Sequence, residues 1–278
     1  IGFLMGGSTS LFNLSSDSPS LLSDSTISGN TLDLTPSSGS ENSIASGGGL
    51  LVSPKYDLLI ENSTISGNRL QAGNQQQAGG LGTGIGLKYL ASELGTVTLN
   101  STIVGGNTST GNFVNSSGSY GSFLALRDIN IATPDTGDAL TIVGANNLVT
   151  SVDTRITMPG DTLTANPQLA PLANQGGVSS GAVGGAGTGP NQTMALYNGS
   201  PAIDTGNNLN SLPYDQRGAG FPRVTGAEAD IGAYEGSIPR PLTSVPTLGT
   251  LGLGLLSGLL GMAGIAIQRL RRRPSGPG

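Results

Sequence analysis

The sequence predicts an all-β protein: a right-handed parallel β-helix (a solenoid) with a C-terminal cap, followed by one C-terminal transmembrane helix. Three observations carry this expectation. A short Ser-Thr-Ile phrase ending in Asn returns at a nearly fixed interval through the first half of the chain. The composition favours small turn and strand residues, with 46 Gly in 278 residues, 4% aromatic and 10% charged, against roughly 25% charged in an ordinary soluble domain. Near the C-terminus, an uncharged stretch rich in Leu and Gly runs into a cluster of Arg.

The repeat comes first. Ser25-Thr26-Ile27-Ser28-Gly29-Asn30 recurs unchanged at Ser63–Asn68. It returns as Ser101-Thr102-Ile103-Val104-Gly105-Gly106-Asn107, and more weakly as Leu140–Asn146. The period is about 38 residues, within the range of repeat architectures. Secondary echoes, Gly47–Leu50 and Gly84–Leu87, lie between the copies. In the second unit three β-type runs are expected, Ser63–Ser66, Ile85–Tyr89 and Val97–Leu99, separated by turn residues and without helical periodicity. A chain that returns to the same short strand at constant spacing suits a solenoid, and three strands per turn suit a parallel β-helix of about four coils.

Stacking in that register puts Ile27, Ile65, Ile103 and Ile142 in one interior column, with successive strands ~4.8 Å apart. The Asn that closes each copy tolerates the left-handed backbone of a sharp bend, and its amide can bond to its equivalent one repeat away. Asn30, Asn68, Asn107 and Asn146 are therefore expected to form a ladder, with a local bulge absorbing the slip at Asn107. Leu32–Ser46 and Arg69–Gly79 read as loops outside the stack. Residues 1–160 form this domain, and we expect its N-terminus to be truncated, with a leader and further coils ahead of Ile1.

Residues 161–236 change character. Three phrases stand out: Asn166–Gly177, Tyr197–Gly206, and Asp215-Gln216-Arg217-Gly218 followed by Phe221-Pro222-Arg223 and Asp230–Glu235. A solenoid end exposes unpaired strand edges, so this segment is read as a terminal cap, with short strands at Ala202–Asp204 and Ile231–Tyr234. Asp204, Asp215, Arg217, Arg223, Asp230 and Glu235 concentrate charge in it. They are expected to form ion pairs holding irregular loops. Calcium bound by the carboxylates is the alternative, since oxygen ligands suit it, but their spacing lacks the alternating pattern of a dedicated calcium loop, and no metal or other cofactor is assigned.

Residues 237–247 form a linker and residues 248–268 a helix of roughly 20 uncharged residues, about 30 Å long and enough for one bilayer core. Arg269, Arg271, Arg272 and Arg273 follow in a basic tail, 269–278. By the positive-inside rule this end stays in the cytoplasm and residues 1–240 lie outside.

The ordered parts of the tail, Val245-Pro246-Thr247-Leu248, then the apolar run, then the Arg cluster, resemble the IPTL-type C-terminal sorting signals of Gram-negative bacteria, relatives of the PEP-CTERM signals. The resemblance implies recognition by an exosortase-like membrane enzyme and removal of the tail. A permanent single-pass anchor is the alternative. The three phrases of 161–236 resemble the choice-of-anchor Q domain, found in bacterial surface proteins between a β-helix and interchangeable anchors. The repeats of residues 20–150 resemble those of bacterial surface β-helix proteins. Together these imply an exported protein of the Gram-negative cell envelope or surface, its tail first held in the inner membrane.

Composition narrows the chemistry. With no His and no Cys, Ser-His-Asp and Cys-His nucleophile systems, imidazole or thiolate zinc sites and disulfides are all excluded. A net charge of −5, with basic residues sparse before the tail, argues against nucleic acid. The expected function is a non-catalytic adhesive or structural surface protein, whose Ser/Thr/Asn/Gly surface suits glycan or matrix contact. The alternative is a polysaccharide lyase or glycoside hydrolase on the same scaffold. Its candidate acids are Asp57 with Glu61 and Asp135 with Asp138, and its candidate bases are the lysines Lys55 and Lys88.

Overall fold

Short β-branched runs punctuated by Gly, Ser and Asn cannot extend into long strands, and the strands are accordingly two to four residues long through most of the chain. The computed structural model describes residues 13–14, 20–33, 48–52, 57–71, 76–77, 82–87, 95–110, 113–114, 127–131, 139–179, 190–241, 262–263 and 267–268. The chain divides into two units, Ile1–Pro239 and Arg240–Gly278.

Among the described residues the first unit is all-β; its strands pair in parallel across the repeats, and beyond them Ala173–Ser179 pairs antiparallel with Pro190–Thr193. Sheet I contains Ser20–Ser23, Leu58–Glu61, Val97–Asn100 and Val143–Ala145; sheet II contains Thr26–Ser28, Thr64–Ser66, Ile103–Val104 and Leu148–Val149. Sheet III contains Thr31–Asp33, Arg69–Gln71 and Thr108–Thr110, and sheet IV contains Asn13–Leu14, Leu50–Val52, Ile85–Leu87 and Ile129–Ile131. Each sheet takes one strand from each successive repeat. Such parallel pairing is compatible with a β-helix or solenoid. The second repeat contributes to five sheets where three strands were expected; the additional strands are Arg69–Gln71, whose Leu70 pairs with Leu32, and Gln76–Gln77, which pairs with Phe113–Val114. Both Leu are buried, so the starts of the two expected loops are strands that contribute apolar surface.

Inward side chains stack in columns. Ser20, Leu58 and Val97 are register partners, as are Leu22, Ile60 and Leu99. In sheet IV the columns are Leu50–Ile85–Ile129 and Val52–Leu87–Ile131. These residues, apart from Ser20 and the half-buried Leu22, lie in one buried apolar cluster. Burying each Leu or Ile is worth ~2 kcal/mol, so the columns dominate the stability of the stack.

The expected isoleucine column holds in part. Ile27 pairs with Ile65, but Val104 and then Val149 continue that column, while Ile103 pairs with Thr64 and Leu148. Ile142 lies between Leu140–Thr141 and Val143–Ala145, outside sheet II, and its N–H bonds to the Thr157 carbonyl. Through sheets I to III the third repeat is displaced uniformly, without a bulge: Asn68 and Asn107 are 39 residues apart, and Leu58 faces Val97 and Arg69 faces Thr108 in the same displacement. Because side chains alternate along a strand, that single extra residue turns Ile103 outward. The same register puts Glu61 beside Asn100 and Ile60 beside Leu99. The Gly echoes are also displaced, since Leu50 faces Ile85.

The left-handed bends are also assigned differently. Gly29, Gly67 and Gly106 take positive φ of 73°, 70° and 72°. The Asn that follows each of them is left free to use its amide. A second set of bends, between sheets I and II, uses Asp24, Asn62, Ser101 and Asn146, with φ from 43° to 54°. Asn146 thus belongs to a different corner from Asn30, Asn68 and Asn107.

Beyond Leu148–Val149 the perimeter shrinks. Leu140 pairs with Ile156, Leu148 bridges to Leu163 and Ile129 bridges to Val152. The following segment runs along the flank of sheet II. Ile103 and Leu148, facing outward, pack with Leu196, Ala202 and Ile231. Gly232 sits so close that a Cβ there would lie 2.8 Å from Thr64 Oγ1 and 2.9 Å from Ile103 Cδ1. The segment expected to plug the end of the stack therefore lies against the side of several repeats. Ala202–Asp204 and Ile231–Tyr234 form turns and bends instead of strands; Gly232 at φ 106° and Asp204 at φ 52° break extended geometry.

In the second unit, Met262–Ala263 and Ile267–Gln268 are helical. No helix among the described residues is long and apolar enough to cross a membrane. Val245, Pro246, Thr247 and Leu248, the rest of the expected helix, and Arg269, Arg271, Arg272 and Arg273 lie outside the described residues.

Candidate functional site

Two polar arrangements concentrate the chemistry of the described chain: a buried ladder inside the repeats and a charged cluster where the 200–235 segment meets them.

The ladder is directional. Asn30 donates from its backbone N (3.2 Å) and Nδ2 (3.0 Å) to Asn68 Oδ1. Asn68 does the same to Asn107 Oδ1, at 3.0 and 2.9 Å, and Asn107 to Asp128 Oδ1, at 3.2 and 2.9 Å. Each Nδ2 of the inner pair also reaches a carbonyl, Asn68 to Ile27 and Asn107 to Ile65. Asp128, not Asn146, is the last member. A carboxylate can only accept, and Asp128 Oδ2 takes the hydroxyls of Thr150 and Ser151, so the chain of donors ends there. Asn146 instead bonds from its N–H to Asp161 and from Nδ2 to the Thr205 carbonyl. Room for the amides comes from Gly49 and Gly84, where a Cβ would lie 2.8 and 2.7 Å from Asn68 and Asn107 Nδ2 respectively.

A second polar column lines the other corner. Ser63 Oγ accepts from Ser25 N–H, and Asn147 Oδ1 accepts from Thr102 N–H. Asn147 Nδ2 donates to the Leu99 carbonyl at 2.7 Å.

In the charged cluster, Arg217 forks onto both oxygens of Asp215, with Nη2 to Oδ2 at 2.6 Å and Nε to Oδ1 at 3.2 Å and Oδ2 at 3.0 Å. Its guanidinium lies between the rings of Phe221 and Tyr234, 4.1 and 3.9 Å from their centroids. Nη2 also donates to the Glu235 carbonyl, and Glu235 N–H returns to Asp215 Oδ2. Asp230 accepts from the N–H groups of Asp204 and Gly236, and Glu235 from those of Thr225 and Asp230. Asp204 accepts from Ala227 N–H. These carboxylates replace the missing strand ladder as partners for irregular backbone. Burial raises the Asp230 and Glu235 carboxyls above their ordinary range, and their backbone hydrogen bonds work against that shift.

Arg223 is 1% exposed. Its Nη2 donates to the Asp230 carbonyl, while Nε and Nη1 have no acceptor among the described residues. Asp24, at the first-repeat bend, is pushed up to about 6 by burial, with the Arg223 charge and the Ser23 hydroxyl opposing and Glu61 and Asp215 adding to the rise. Glu61 is buried; its Oε1 accepts from Ser23 Oγ, and its Oε2 from Asn210 Nδ2 at 2.6 Å. Further links tie the segment to the repeats. Thr26 Oγ1 donates to Gln216, Ala233 N–H donates to Thr64 Oγ1, and Ser101 Oγ exchanges bonds with Asn207.

All six charged residues named from the sequence thus fall in one region, but among the described residues the expected ion pairing is limited to Arg217 with Asp215; Asp204, Asp230 and Glu235 accept from backbone N–H groups, and Arg223 donates to a backbone carbonyl. Asp24 and Glu61 complete it through contacts with residues distant in sequence, and Phe221 and Tyr234, which belong to the phrases singled out above, through their stacking on Arg217. Asp57 is exposed and accepts from Thr96 N–H at 2.7 Å, whereas its candidate partner Glu61 points into the charged cluster. Asp135, Asp138, Lys55 and Lys88 lie outside the described residues. Among the described residues no group of three or more acidic side chains is arranged to hold a metal ion. No family model matches the chain, and neither a curated protein nor a solved structure matches it.

Proposed function

We propose that this chain is an exported, cell-surface protein of a Gram-negative envelope, built as a right-handed parallel β-helix and serving a non-catalytic, adhesive or structural role. The observation that carries this reading is the registered parallel pairing of successive repeats, reinforced by a buried amide ladder. Such a stack makes a stiff rod whose outward Ser, Thr and Asn offer hydrogen bonds to glycans or matrix. Residues 161–236, like a choice-of-anchor Q domain in sequence, brace that rod along its side. Residues 245–278 then act as the sorting signal for an exosortase-like enzyme: Val245-Pro246-Thr247-Leu248 as the recognised motif, 248–268 as the membrane helix and the Arg cluster as the cytoplasmic stop.

The polysaccharide-degrading alternative draws no support from Asp57 and Glu61, because Glu61 is committed to Ser23 and Asn210. Deleting residues 245–278 tests the anchoring. The truncated protein should appear in the culture medium, and retention in the envelope would refute the sorting role. Incubating residues 1–240 with a polysaccharide panel tests the non-catalytic role. New reducing ends or unsaturated sugars traced to this protein would overturn it.

A further inference from the structure

Residues 196–235 are fastened to the repeats by side chains and isolated backbone bonds. Among the described residues no strand of this segment pairs with sheets I to IV; Leu196–Tyr197 pairs with Ser237–Ile238 instead. Its apolar contact is the small set around Ile103 and Leu148. Gly232 N–H reaches the Ser101 carbonyl, and Ala233 N–H reaches Thr64 Oγ1. A segment held in this way opens at a lower free energy than the strand ladders beneath it.

Its attachment at the first bend is electrostatically unbalanced. Asp24, at φ 43°, faces Glu61 from sheet I and both Asp215 and Arg223 from the segment, and accepts from the neutral Ser23 hydroxyl. Asp215 is neutralised by Arg217. Glu61 accepts from two neutral donors, Ser23 and Asn210. Arg223 is shared, because its charge also acts on Asp230 and Glu235, and its hydrogen bond goes to a carbonyl. Asp24, Glu61, Asp215, Asp230 and Glu235 thus meet two guanidinium groups. All of these side chains are buried except Asp24, which is half-buried.

We propose that residues 196–235 are a releasable strap clasped at this cluster: protonated Asp24 keeps it fastened, ionised Asp24 repels Glu61 and Asp215 and loosens it, and release uncovers the apolar flank of sheet II at Ile103 and Leu148. Burial sets the direction. Beneath the strap Asp24 is pushed up to about 6, against an ordinary 3.8, with Arg223 and Ser23 opposing the rise and Glu61 and Asp215 adding to it. The fastened form therefore binds more protons between those values, and docking weakens as pH rises from about 4 to about 6. Burial raises Asp230 and Glu235 as well, so they act in the same sense.

Amide exchange of the full chain across that pH range, corrected for intrinsic rates, tests the strap. Protection at Gly232 and Ala233 should fall about tenfold between the two ends of the range. Protection at Ile85, bonded within the stack to the Asp128 carbonyl, should stay constant. Asp24→Asn should remove most of the fall; Asn already occupies the equivalent left-handed bend at Asn62, so the variant keeps the fold. A fluorescent dye with affinity for apolar surface should bind more at the upper pH, and far less so in Asp24→Asn. Constant protection at Gly232, an equal fall in Asp24→Asn, or dye binding that ignores pH would overturn the proposal. A parallel loss at Ile85 would overturn it too, because the stack would then open as one body.

Discussion

Replacing Asn68 with Ala interrupts the ladder at its middle. The side chain is fully buried and makes four bonds: its Oδ1 accepts from Asn30 N and Nδ2, and its Nδ2 donates to the Ile27 carbonyl and Asn107 Oδ1. At roughly 1 kcal/mol net per bond, the loss is about 4 kcal/mol. That is a large share of the ~5–15 kcal/mol that holds a typical domain folded. Asn30→Ala removes only the bond from Nδ2, because Asn30 Oδ1 has no donor among the described residues, so its cost should be about 1 kcal/mol. Urea unfolding of the two variants, with slopes checked for constancy, measures the difference. Equal costs for Asn30→Ala and Asn68→Ala, or a cost below ~1 kcal/mol for Asn68→Ala, would refute the ladder as a source of stability.

Other consequences can be measured on the same chain. Asp24 has a folded value of about 6 against 3.8 for the ordinary carboxyl. The folded state therefore binds more protons between those values, and this group's contribution to stability should fall as pH rises from about 4 to about 6; Asp24→Asn should flatten that slope in urea titrations across the range. Asp153 should act in the opposite sense. Burial raises it, but the hydrogen bonds and charge of Arg155 bring it below its ordinary value, so its contribution is lost on acidification, and Arg155→Gln should reduce stability near neutrality. Arg217→Lys breaks the fork to Asp215 and the stacking between Phe221 and Tyr234, and should cost ~3 kcal/mol in urea unfolding. Gly232→Ala should loosen the flank, since its Cβ meets Thr64 and Ile103; limited proteolysis should then cut 161–236 faster. Gly29→Ala, at φ 73° with open space around it, should cost only the left-handed strain of about 1–2 kcal/mol.

The repeat period and the pairing of Ile27 with Ile65 were legible because identical hexapeptides present the same alternation to the same neighbours. Ile103 misled for a specific reason. Matching letters aligned it with Ile65, whereas the Gly-Asn pair that makes the bend aligns Val104 there, and the bend governs the register. Arg69–Gln71 escaped notice because a three-residue strand of mixed polarity has no periodicity to detect. In the charged cluster, composition marked Asp215, Arg217, Arg223, Asp230 and Glu235 as a group. Asp24 and Glu61 belong to it only because a flank segment far away in the chain reaches the first bends.

Local sequence therefore accounts for what depends on neighbours along the chain: strand-forming runs, glycine bends, the repeat period and the charged phrases. Contacts across the fold decided the rest. They turned Ile103 outward, ended the amide ladder on Asp128, and laid residues 196–235 along sheet II. The reason is that parallel registers and buried hydrogen bonds are set by whichever partners can be satisfied together, and those partners lie tens to more than a hundred residues apart.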